Sequence, residues 1–585
     1  MKKKSVYISK DALSLKNTKR KLWKRYILTK TRYDKVRYVQ CKNKLRALTR
    51  TLRRNFEQKL TAEIKKKPKL FWKYAKSRLK TRPSIPPLKR SDGSKATTSK
   101  SKAETLNNFF ASVFTKEDTK NLPPPPTYET SLLNTINITP EIVLSKLKAL
   151  NPNKSPAHDN WHPFFLKELA DELCIPLTIL FNKSLKEGAH KSWLTAIISS
   201  IYKKGSRTDP GNYRPVSLTS LISKIMESIV RDAIVVHLVE NNILNDGQHG
   251  FVPDRDCITQ LLLCLEDWTC MMDNGHSFDV IYTDFAKAFD SVAHERLLLK
   301  VEAMGIKGDL LKWIRSFLTD RTQCVKVEGV TSGWKKVTSG IPQGSVLGPL
   351  LFVCFINDMP DSVKHNICRL FADDCKLYGA TKEAAENDDL TDNDLQTDLT
   401  GLENWSGKWQ LPFNAPKCKV MHFGKNNPRR PYRMNGHTLE ITDQEKDLGV
   451  MIDEELKFHV HTAAAAKKGN QMLGIIKKSY CTRDAKTMTS LYTAMVRPLL
   501  EYGNAIWGPH YKTDIKRIEQ IQRRATKIVV GLHDESYEDR LKALKLPSLV
   551  YRRRRGDMIQ MFKIMNGFVI DDWNSLPAHV IMHPR

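Results

Sequence analysis

Residues 280–290 have the sequence Val-Ile-Tyr-Thr-Asp-Phe-Ala-Lys-Ala-Phe-Asp, so Asp284 stands at the end of a short apolar run. This pattern predicts a buried strand that ends at the carboxylate. Residues 367–378, Ile-Cys-Arg-Leu-Phe-Ala-Asp-Asp-Cys-Lys-Leu-Tyr, place Asp373 and Asp374 between two further apolar runs, which is typical of a hairpin tip. We therefore expect three acidic side chains from separate stretches of chain to lie side by side.

These three acids indicate a metal site. A carboxylate at the end of a buried strand is costly unless a cation or another partner compensates its charge. Mg²⁺ binds a few carboxylates together with the phosphate oxygens of a substrate, so Asp284, Asp373 and Asp374 fit a site for two ions and a nucleoside triphosphate. An Asp-Asp pair is also ordinary turn chemistry, and from these residues alone that alternative stays open.

The charge of the chain is concentrated at its start. The 585 residues include 96 Lys+Arg and 63 Asp+Glu, a net charge of +33. Residues 1–82 alone hold 30 lysines and arginines against four acids, a net charge of +26. A field of this kind favours a polyanionic partner, with nucleic acid ahead of the alternative of a solvated basic helix or tail.

Composition excludes several classes of protein. A hydrophobic fraction of 41% is too high for a wholly disordered chain, and the length predicts about three to five folding units. The longest apolar run, 350–356, is far shorter than a membrane span, and no apolar segment follows the first lysines as in a secretory signal. The 11 cysteines form no CxxC pair, which favours an intracellular protein, in the nucleus or cytoplasm or both.

Periodicity predicts several elements and boundaries. One stripe of a long basic helix runs over 45–64 and is extended by the apolar residues at 70–74, and residues 88–103 have the composition of a polar loop. The four prolines at 123–126 predict a boundary. Beyond residue 460 nearly everything is predicted helical. The remaining predictions are helices at 139–150, 219–240, 258–273 and 294–304, and a strand at 197–202.

Ser339-Gly340-Ile341-Pro342-Gln343-Gly344-Ser345-Val346-Leu347-Gly348-Pro349 lies between the two acidic segments. The three segments, in this order, resemble the palm motifs of reverse transcriptases, and Phe-Ala-Asp-Asp at 371–374 is similar to the form found in non-LTR retrotransposons of the LINE or jockey-like kind. Further segments with the same resemblance are KKG (203–205) and GNYRPVSL (211–218) of the fingers, NAPKCK (414–419) of motif D, LGV (448–450) of the primer grip and VRPLLEYG (496–503) of the thumb region.

The resemblance implies an α+β, right-hand polymerase fold, with a palm that holds a small antiparallel sheet. Together with the composition, it gives the following expected domains: a basic helical N-terminal extension (1–82), a Pro/Ser/Lys-rich linker with a short helix (83–136), fingers (137–278), a palm (279–455, the whole reverse transcriptase core being about 185–455), a helical thumb (456–565) and a C-terminal remnant (566–585).

The family's roles, carried to the matching positions, imply a catalytic metal centre. Asp284, Asp373 and Asp374 are implied to be catalytic and to hold the ions, with the carbonyl of Phe285 as a further ligand. The cofactors are then two Mg²⁺ ions, which Mn²⁺ could replace.

The resemblance also implies a nucleotide pocket. Gln343 and Gly344 are expected to line it, since glycine lets the backbone approach the base or template closely. Arg214 is expected to bind the triphosphate, because a guanidinium makes bidentate contacts to phosphate oxygens, and Lys203 or Lys204 to assist it. A simple Pro-Gln-Gly turn is the structural alternative for the first pair.

Two more positions carry implied roles and open alternatives. Phe289 stands where the family has an aromatic steric gate, whose ring excludes a ribose 2′-hydroxyl; a plain core phenylalanine is the alternative. Lys417 is expected near the leaving pyrophosphate as a general acid. An exposed lysine in a salt bridge is the equal alternative for Lys417.

The implied activity is that of an RNA-directed DNA polymerase of a non-LTR retrotransposon, which adds dNTPs to a primer 3′-hydroxyl by a two-metal-ion mechanism. Its partners are an RNA template, a DNA primer and dNTPs, with no membrane; the sequence does not indicate protein partners. A catalytically inactive element remnant that binds nucleic acid is the alternative. A group II intron maturase is a third option, which predicts a downstream DNA-binding or HNH region that we do not recognise.

The sequence also departs from the family's pattern. Many relatives carry an endonuclease before the polymerase, whereas the first residues here resemble the linker after it, so nicking is not assigned to this polypeptide. SPAHDN at 155–160 replaces the usual SPGPDG and predicts an altered turn, and closely spaced segments at 566–577 indicate a C-terminal deletion. The acidic stretch 383–398 predicts a solvated loop. Trp405 and Trp409, four residues apart, predict core packing rather than base stacking.

Overall fold

A computed structural model describes residues 7–79, 85–154, 159, 161–381 and 394–567. The chain divides into two compact units, which we call unit 1 (Met1–Arg82 with Gly449–Arg585) and unit 2 (Pro83–Leu448). The predicted turn at 155–160, apart from Asp159, lies outside the described residues. So do residues 382–393 of the acidic stretch and the end of the chain from residue 568.

Helices and strands mix in unit 2, and unit 1 is mainly helical. The helices are α1 (Lys10–Thr29), α2 (Arg32–Ile64), α3 (Lys69–Arg78), α4 (Ser99–Ser112), α5 (Pro140–Lys148), α6 (Pro163–Glu168), α7 (Ala170–Glu187), α8 (Leu221–Glu240), α9 (Cys257–Asp273), α10 (Ala288–Ser291), α11 (His294–Ala303), α12 (Gly308–Leu318), α13 (Gly348–Ile356), α14 (Asp394–Trp409), α15 (His459–Ser479), α16 (Ala485–Leu491), α17 (Arg497–Glu501), α18 (Asn504–Trp507), α19 (Lys512–Thr526), α20 (Tyr537–Leu544) and α21 (Leu549–Met565). The strands are β1 (Leu88–Lys89), β2 (Lys95–Ala96), β3 (Thr195–Tyr202), β4 (Tyr213–Leu218), β5 (Phe278–Thr283), β6 (Thr322–Val327), β7 (Val330–Thr331), β8 (Lys335–Lys336), β9 (Ile367–Phe371), β10 (Asp374–Ala380), β11 (Lys419–Phe423), β12 (Arg433–Met434), β13 (His437–Thr438), β14 (Glu440–Ile441), β15 (Gln444–Asp447) and β16 (Val450–Asp453). This content is of the α+β class that the sequence predicts.

The predicted helices at 139–150, 219–240, 258–273 and 294–304 are confirmed as α5, α8, α9 and α11, and the strand at 197–202 as β3. Each boundary falls within two residues of its prediction. The mainly helical character beyond residue 460 is confirmed as well, as far as the described residues reach, to 567. These elements were predictable because most of their apolar residues recur at the spacing of a helix or a strand.

The central sheet of unit 2 has the strand order β14-β11-β5-β10-β9. Its middle strand, β5, pairs antiparallel with both β10 and β11. Every residue of β5 except Tyr282 is buried, as expected for a strand with neighbours on both sides and a core around it. The predicted strand at 280–283 and the hairpin around Asp373 and Asp374 are therefore confirmed.

A second sheet in unit 2, with the order β4-β3-β6-β7 and β8 beside β6, is covered by α4. The predicted polar loop at 88–103 is wrong, because β1 and β2 pair there and α4 begins at Ser99. Thr98 and Ser101 form a capping box, and the first buried apolar residue of α4 is Ala103. The polar composition of residues 88–102 hid the start of this helix.

Trp405 and Trp409 are core residues, 6% and 1% exposed, which confirms their predicted packing role. They surround the fully buried side chain of Lys300, whose Nζ lies 3.6 Å from the centroid of the Trp409 ring. This Nζ also donates to the carbonyl of Phe355 at 2.6 Å and pairs with Asp358. A cation inside the core is thus satisfied by a carboxylate, a carbonyl and aromatic faces.

The end of the acidic stretch is not a solvated loop. Residues 394–398 begin α14, and Asp398 is 1% exposed. Its carboxylate accepts hydrogen bonds from the backbone amides of Lys364, His365 and Asn366. The prediction is wrong for Asp398 because this acid caps backbone amides more than 30 residues away in sequence.

Unit 1 contains the basic helices predicted at the start of the chain. α2 ends at Ile64 and α3 begins after Pro68, so the apolar residues at 70–74 do not extend the first helix as predicted. Pro68 stands between the two helices and cannot donate a backbone hydrogen bond within a continuous one. Among the helices of the described ranges, none has the length and apolar character of a membrane span.

Glu57 holds α2 against other helices of unit 1. Its side chain is fully buried and accepts hydrogen bonds from Tyr74 at 2.6 Å and from the amides of Cys481 and Thr482 at 3.0 and 2.8 Å. Arg53 pairs with the same carboxylate at 2.8 Å. Burial acts to raise the pKa of Glu57, but these donors outweigh it and lower the pKa overall.

Candidate active site

Asp284 and Asp374 lie at matching ends of two neighbouring strands. The last register pair between β5 and β10 is Thr283 with Cys375, so Asp284 and Asp374 stand one step beyond it. Opposite residues of an antiparallel pair have Cα atoms about 4.5–5.5 Å apart. Asp373 precedes Asp374 in the turn, so the three predicted acids gather at one edge of the central sheet.

The turn that carries Asp373 is supported from a distant part of the sequence. Ala372 has φ 53, a left-handed conformation that is unfavourable for a residue with a side chain. Its amide donates to Oε1 of Gln248 at 3.0 Å, and the amide of Gly250 donates to the same oxygen at 2.7 Å. A Cβ on Gly250 would lie 2.3 Å from the amide nitrogen of Ala372. Sequence analysis did not identify Gln248 and Gly250 as supports of this turn. The glycine itself was the only feature of the sequence that could have indicated them.

Lys417 pairs with the first of the acids. Its Nζ lies 3.3 Å from Oδ2 of Asp284, and both side chains are exposed to solvent. The amide of Asn414 donates to the carbonyl of Asp284 at 2.7 Å, which ties the end of β5 to the segment that carries Lys417. The exposed, salt-bridging lysine considered for Lys417 is thus present, with Asp284 as its partner.

Burial and neighbouring negative charges raise the pKa of Asp373 and of Asp374. Burial raises the pKa of Asp373, and the charge of Asp284 adds to the effect, whereas Arg214 and Lys203 oppose it. Burial and then the charge of Asp373 raise the pKa of Asp374 to about 6. Negative charges held this close together favour a cation between them.

The donor set suits a hard divalent cation, because carboxylate oxygens are the ligands that Mg²⁺ prefers. In the described ranges, no three His, Cys, Asp or Glu side chains are already gathered around one point where an ion could bind. Asp284 is turned toward Lys417 instead. The residues therefore fit a metal by donor type and strand position.

Phe285 faces the core. It is 4% exposed, and its ring stacks on Phe413 with centroids 4.4 Å apart. Phe285 and Phe413 also form an isolated β-bridge, whose two backbone hydrogen bonds are made by the carbonyl of Asp284 and the amide of Ala286. Neither hydrogen bond involves the carbonyl of Phe285, the oxygen that the sequence implies as a metal ligand.

Cationic side chains from several segments act on the acids. Arg214 is exposed on β4, and Lys203 follows β3 with the exposed Lys204 beside it. Burial lowers the pKa of Lys203, the charges of Arg214 and Lys417 lower it further, and Asp284 opposes them. The structure thus brings together the cations that the sequence assigns to phosphate binding.

Lys287 joins this group, and sequence analysis missed it. Burial lowers its pKa, Asp290 opposes the shift, and the charges of Lys417 and Lys203 add to it. Its Nζ donates to the carbonyl of Gly211 at 3.3 Å. The only sequence signal was its place inside the same motif as Asp284.

The segment with Gln343 and Gly344 packs directly against β4. The amide of Ser217 donates to the carbonyl of Gln343 at 2.7 Å. Gly344 has φ 117, and a Cβ there would lie 2.7 Å from the carbonyl oxygen of Ser217. A glycine is therefore required at this position both by conformation and by space.

Phe289 and the 339–343 segment are joined by several backbone contacts. The amide of Ile341 donates to the carbonyl of Phe289 at 2.7 Å, and a Cβ on Gly340 would lie 2.6 Å from the carbonyl oxygen of Asp290. The ring of Phe289 is half-buried and stacks on Phe352 with centroids 4.6 Å apart. Phe289 is thus packed on one side and still reaches solvent.

A buried acid that sequence analysis missed supports the same loop. Glu227 is fully buried, and its Oε2 accepts hydrogen bonds from the Ser345 hydroxyl at 2.6 Å and the Val346 amide at 2.7 Å. The Ser223 hydroxyl donates to its other oxygen at 3.0 Å. Within the apolar periodicity of α8, nothing marked this glutamate as a loop anchor.

Comparison with known proteins agrees with this arrangement. The family described as reverse transcriptase (RNA-dependent DNA polymerase) matches residues 201–475, a range that includes every predicted site residue. Residues 201–475 are thus similar to the reverse transcriptase domain. The resemblance inferred from the three palm motifs is therefore confirmed.

Several proteins similar to this chain are transposon polymerases. A "Probable RNA-directed DNA polymerase from transposon BS" of Drosophila melanogaster is 28% identical over 90% of this chain and 60% of the relative. That from the X-element of the same species is 28% identical over 65% of this chain and 42% of the relative. The "RNA-directed DNA polymerase from mobile element jockey", also of this species, is 26% identical over 67% and 44%. The chain thus spans at most 60% of these relatives' lengths.

Proposed function

We propose that this protein is an RNA-directed DNA polymerase of a non-LTR retrotransposon, which extends a DNA primer along an RNA template with dNTPs. The main support is the position of Asp284 and Asp374 at matching ends of β5 and β10, with Asp373 in the adjoining turn. The family match and the printed activities of the relatives agree with it.

We also propose the right-hand arrangement of the polymerase fold. The fingers are residues 137–278, the palm is 279–455 with the β5–β10 pair at its centre, and the thumb is 456–565. The 1–82 extension and the 83–136 linker precede them, and residues 566–585 follow them. The mixed fold of residues 83–448 and the mainly helical character of residues 456–565 are consistent with this division.

Asp284, Asp373 and Asp374 would hold two Mg²⁺ ions, with the carbonyl of Phe285 as a further ligand. Such ions activate a 3′-hydroxyl and stabilise the leaving pyrophosphate. The raised pKa of Asp373 and of Asp374 supports the proposal, because crowded carboxylates gain most from a bound cation.

The cations beside the acids bind the triphosphate. Arg214 grips the phosphate oxygens with two parallel hydrogen bonds, and Lys203 and Lys204 add positive charge next to it. Lys417 holds a proton on Nζ and donates it to the leaving pyrophosphate. Its 3.3 Å contact with Asp284 supports this role, because Nζ then lies beside one of the three acids.

Gln343 and Gly344 line the nucleotide pocket, and Phe289 excludes a ribose 2′-hydroxyl from it. The positive φ of Gly344 and the half-buried ring of Phe289 support these roles, since one allows close backbone approach and the other presents a rigid wall. The pocket therefore selects deoxynucleotides by shape.

Primer extension tests the proposal. The purified chain with poly(rA)/oligo(dT), Mg²⁺ and labelled dTTP should lengthen the primer, and Asp373→Asn should reduce extension at least about 1,000-fold. Asp309→Asn, a surface carboxylate on α12, is the matched control and should extend normally. Binding of the template–primer without extension by the unsubstituted chain would contradict the proposal and favour an inactive element remnant.

A further inference from the structure

The turn between α1 and α2 forms a strongly basic apex, which we define as residues 19–38. It contains nine lysines and arginines and a single acid, Asp34. The two helices are joined only through Lys30 and Thr31, so they form a helical hairpin. This local charge density exceeds that of any surface needed only for solubility.

The one acid of the apex is buried, so it adds no negative charge to the exposed surface. Asp34 is 2% exposed and accepts hydrogen bonds from Thr29 at 2.6 Å and from Thr31 at 3.1 Å. Arg25 lies 3.1 Å from its other oxygen, and these contacts lower the pKa of Asp34. The carboxylate is used inside the turn, and the other cations of the apex face solvent.

The same contacts give the apex a defined shape. Lys30 caps α1 in the left-handed conformation, and Thr31 caps α2. Over residues 7–56, only Ala12 and Asp34 are buried. The hairpin is thus ordered by its own turn while nearly all of its surface stays open to a partner.

Large apolar side chains lie among these cations. Leu28, Tyr33, Ile27 and Trp23 are 85%, 65%, 52% and 43% exposed. Trp23 packs on Tyr38 across the hairpin with centroids 4.8 Å apart, and Arg37 lies over the ring of Tyr33. Exposed rings among cations suit unpaired bases, which stack on aromatic faces while phosphates bind lysine and arginine.

The pattern is poorly suited to a membrane surface. Helices that bind membranes separate an apolar face from a basic one. In α1, Leu28 shares its face with Lys24, and Trp23 shares its face with Arg20, since residues three and four apart are neighbours on a helix. Apolar and basic side chains are therefore interleaved, which matches single-stranded nucleic acid.

We infer that the α1–α2 apex is an RNA-binding surface for single-stranded or looped RNA, in addition to the polymerase site. The acids and the nucleotide pocket belong to unit 2, whereas the apex belongs to unit 1. The inference does not depend on the proposed polymerase activity, because binding by the apex needs neither dNTP nor metal.

Fluorescence anisotropy with a labelled single-stranded RNA of mixed sequence tests the inference. The full chain is compared with a variant in which Lys24, Lys30, Arg32 and Lys35 are changed to Gln. Four lost phosphate contacts should weaken binding at least about tenfold and lower the slope of log K against log salt by about 3. A matched control removes the same charge from exposed lysines of unit 2: Lys186, Lys307, Lys336 and Lys364.

The control should bind RNA within about threefold of the unsubstituted chain, and a thermal melt should show both variants folded. A second pair tests stacking: Tyr33→Ala should weaken binding, and Tyr33→Phe should not. Equal losses in the apex and control variants would overturn the inference, as would loss of binding to anionic vesicles without loss of RNA binding. Apex-dependent RNA binding by a chain that fails to extend primers would overturn only the proposed polymerase function.

Discussion

Nε2 of Gln343 donates a hydrogen bond of 2.9 Å to Oδ1 of Asp290. The carbonyl of Asp290 accepts a further hydrogen bond, at 2.9 Å, from the hydroxyl of Ser339. The side chain proposed to line the nucleotide pocket is therefore oriented by a residue to which the sequence assigned no role. Asp290 directly follows the proposed gate residue, Phe289, so one short helix supports both walls of the pocket.

Asp290→Ala tests this positioning role. The variant loses the acceptor for Gln343, so the KM for dTTP should rise about tenfold, the value of one hydrogen bond to a charged group, with kcat changed less than about threefold. Steady-state extension of poly(rA)/oligo(dT) measures both constants. Asp290→Asn keeps an oxygen acceptor and is the control, with a KM near that of the unsubstituted chain. Equal KM values for the two variants would contradict the role.

The same residue predicts a pH dependence of stability. Burial raises the pKa of Asp290 to about 6, against about 3.9 in an unfolded chain. The native state binds more protons between these values, so its free energy of unfolding falls by about 2 kcal/mol as pH rises from 4 to 7. Asp290→Asn does not titrate, and its stability relative to the unsubstituted chain should rise by that amount. Urea unfolding at both pH values measures the difference; a constant difference would argue against it.

Sequence alone predicted the elements around the acids because each is encoded locally. β5 is mostly apolar, and the hairpin has a mostly apolar strand on either side of its Asp pair. The motif spacing also identified the family, since each motif is contiguous. The positions of Asp284 and Asp374 followed from one strand and one hairpin.

The supports of the site could not be predicted because they join distant parts of the chain. Gln248 contacts Ala372 across 124 residues, and Glu227 contacts Ser345 across 118. Neither residue interrupts the pattern of its own segment in a way that reveals a partner. A polar side chain that is buried because it binds a distant backbone amide produces no periodic pattern in the sequence. Such a contact is therefore seen only in the folded chain.

Gly344→Ala should reduce primer extension at least about tenfold. A Cβ there would lie 2.7 Å from the carbonyl of Ser217 and would push Gln343 away from β4. Gly329→Ala is the matched control, because Gly329 also has a positive φ, 91, but nothing within 4 Å of an added Cβ. Both variants carry the backbone strain, and only the first carries the clash. Extension rates at saturating dTTP compare them, and similar losses would show that the clash is irrelevant.

Phe289→Ala should raise the ratio of UTP to dTTP incorporation about tenfold or more, because the wall against the 2′-hydroxyl is removed. Single-nucleotide extension with each nucleotide measures the ratio. The Phe289 ring also packs on Phe352, so loosened packing needs its own control. Phe352→Leu keeps the gate while it weakens the stack, and its ratio should stay unchanged. A ratio raised equally in both variants would assign the effect to packing.

Lys300→Met should lower the free energy of unfolding by about 3 kcal/mol, although it replaces a buried charge by an apolar side chain of similar length. The reason is Asp358, whose side chain is only 11% exposed and which would lose its partner. Burial lowers the pKa of Lys300 to about 7, a sign that desolvation opposes the pair.

The double variant Lys300→Met/Asp358→Asn separates these effects. If the unpaired carboxylate causes the loss, the second change should restore about 2 kcal/mol of it in urea unfolding. If the double variant is no more stable than Lys300→Met, the loss comes from the contacts of Nζ with Phe355 and the Trp409 ring instead. Lys300 lies on α11, which begins at His294, and Nε2 of His294 contacts the carbonyl of Gly340 at 2.8 Å. Loss of the Lys300 contacts should therefore also disturb the segment of the proposed nucleotide pocket and raise the KM for dTTP.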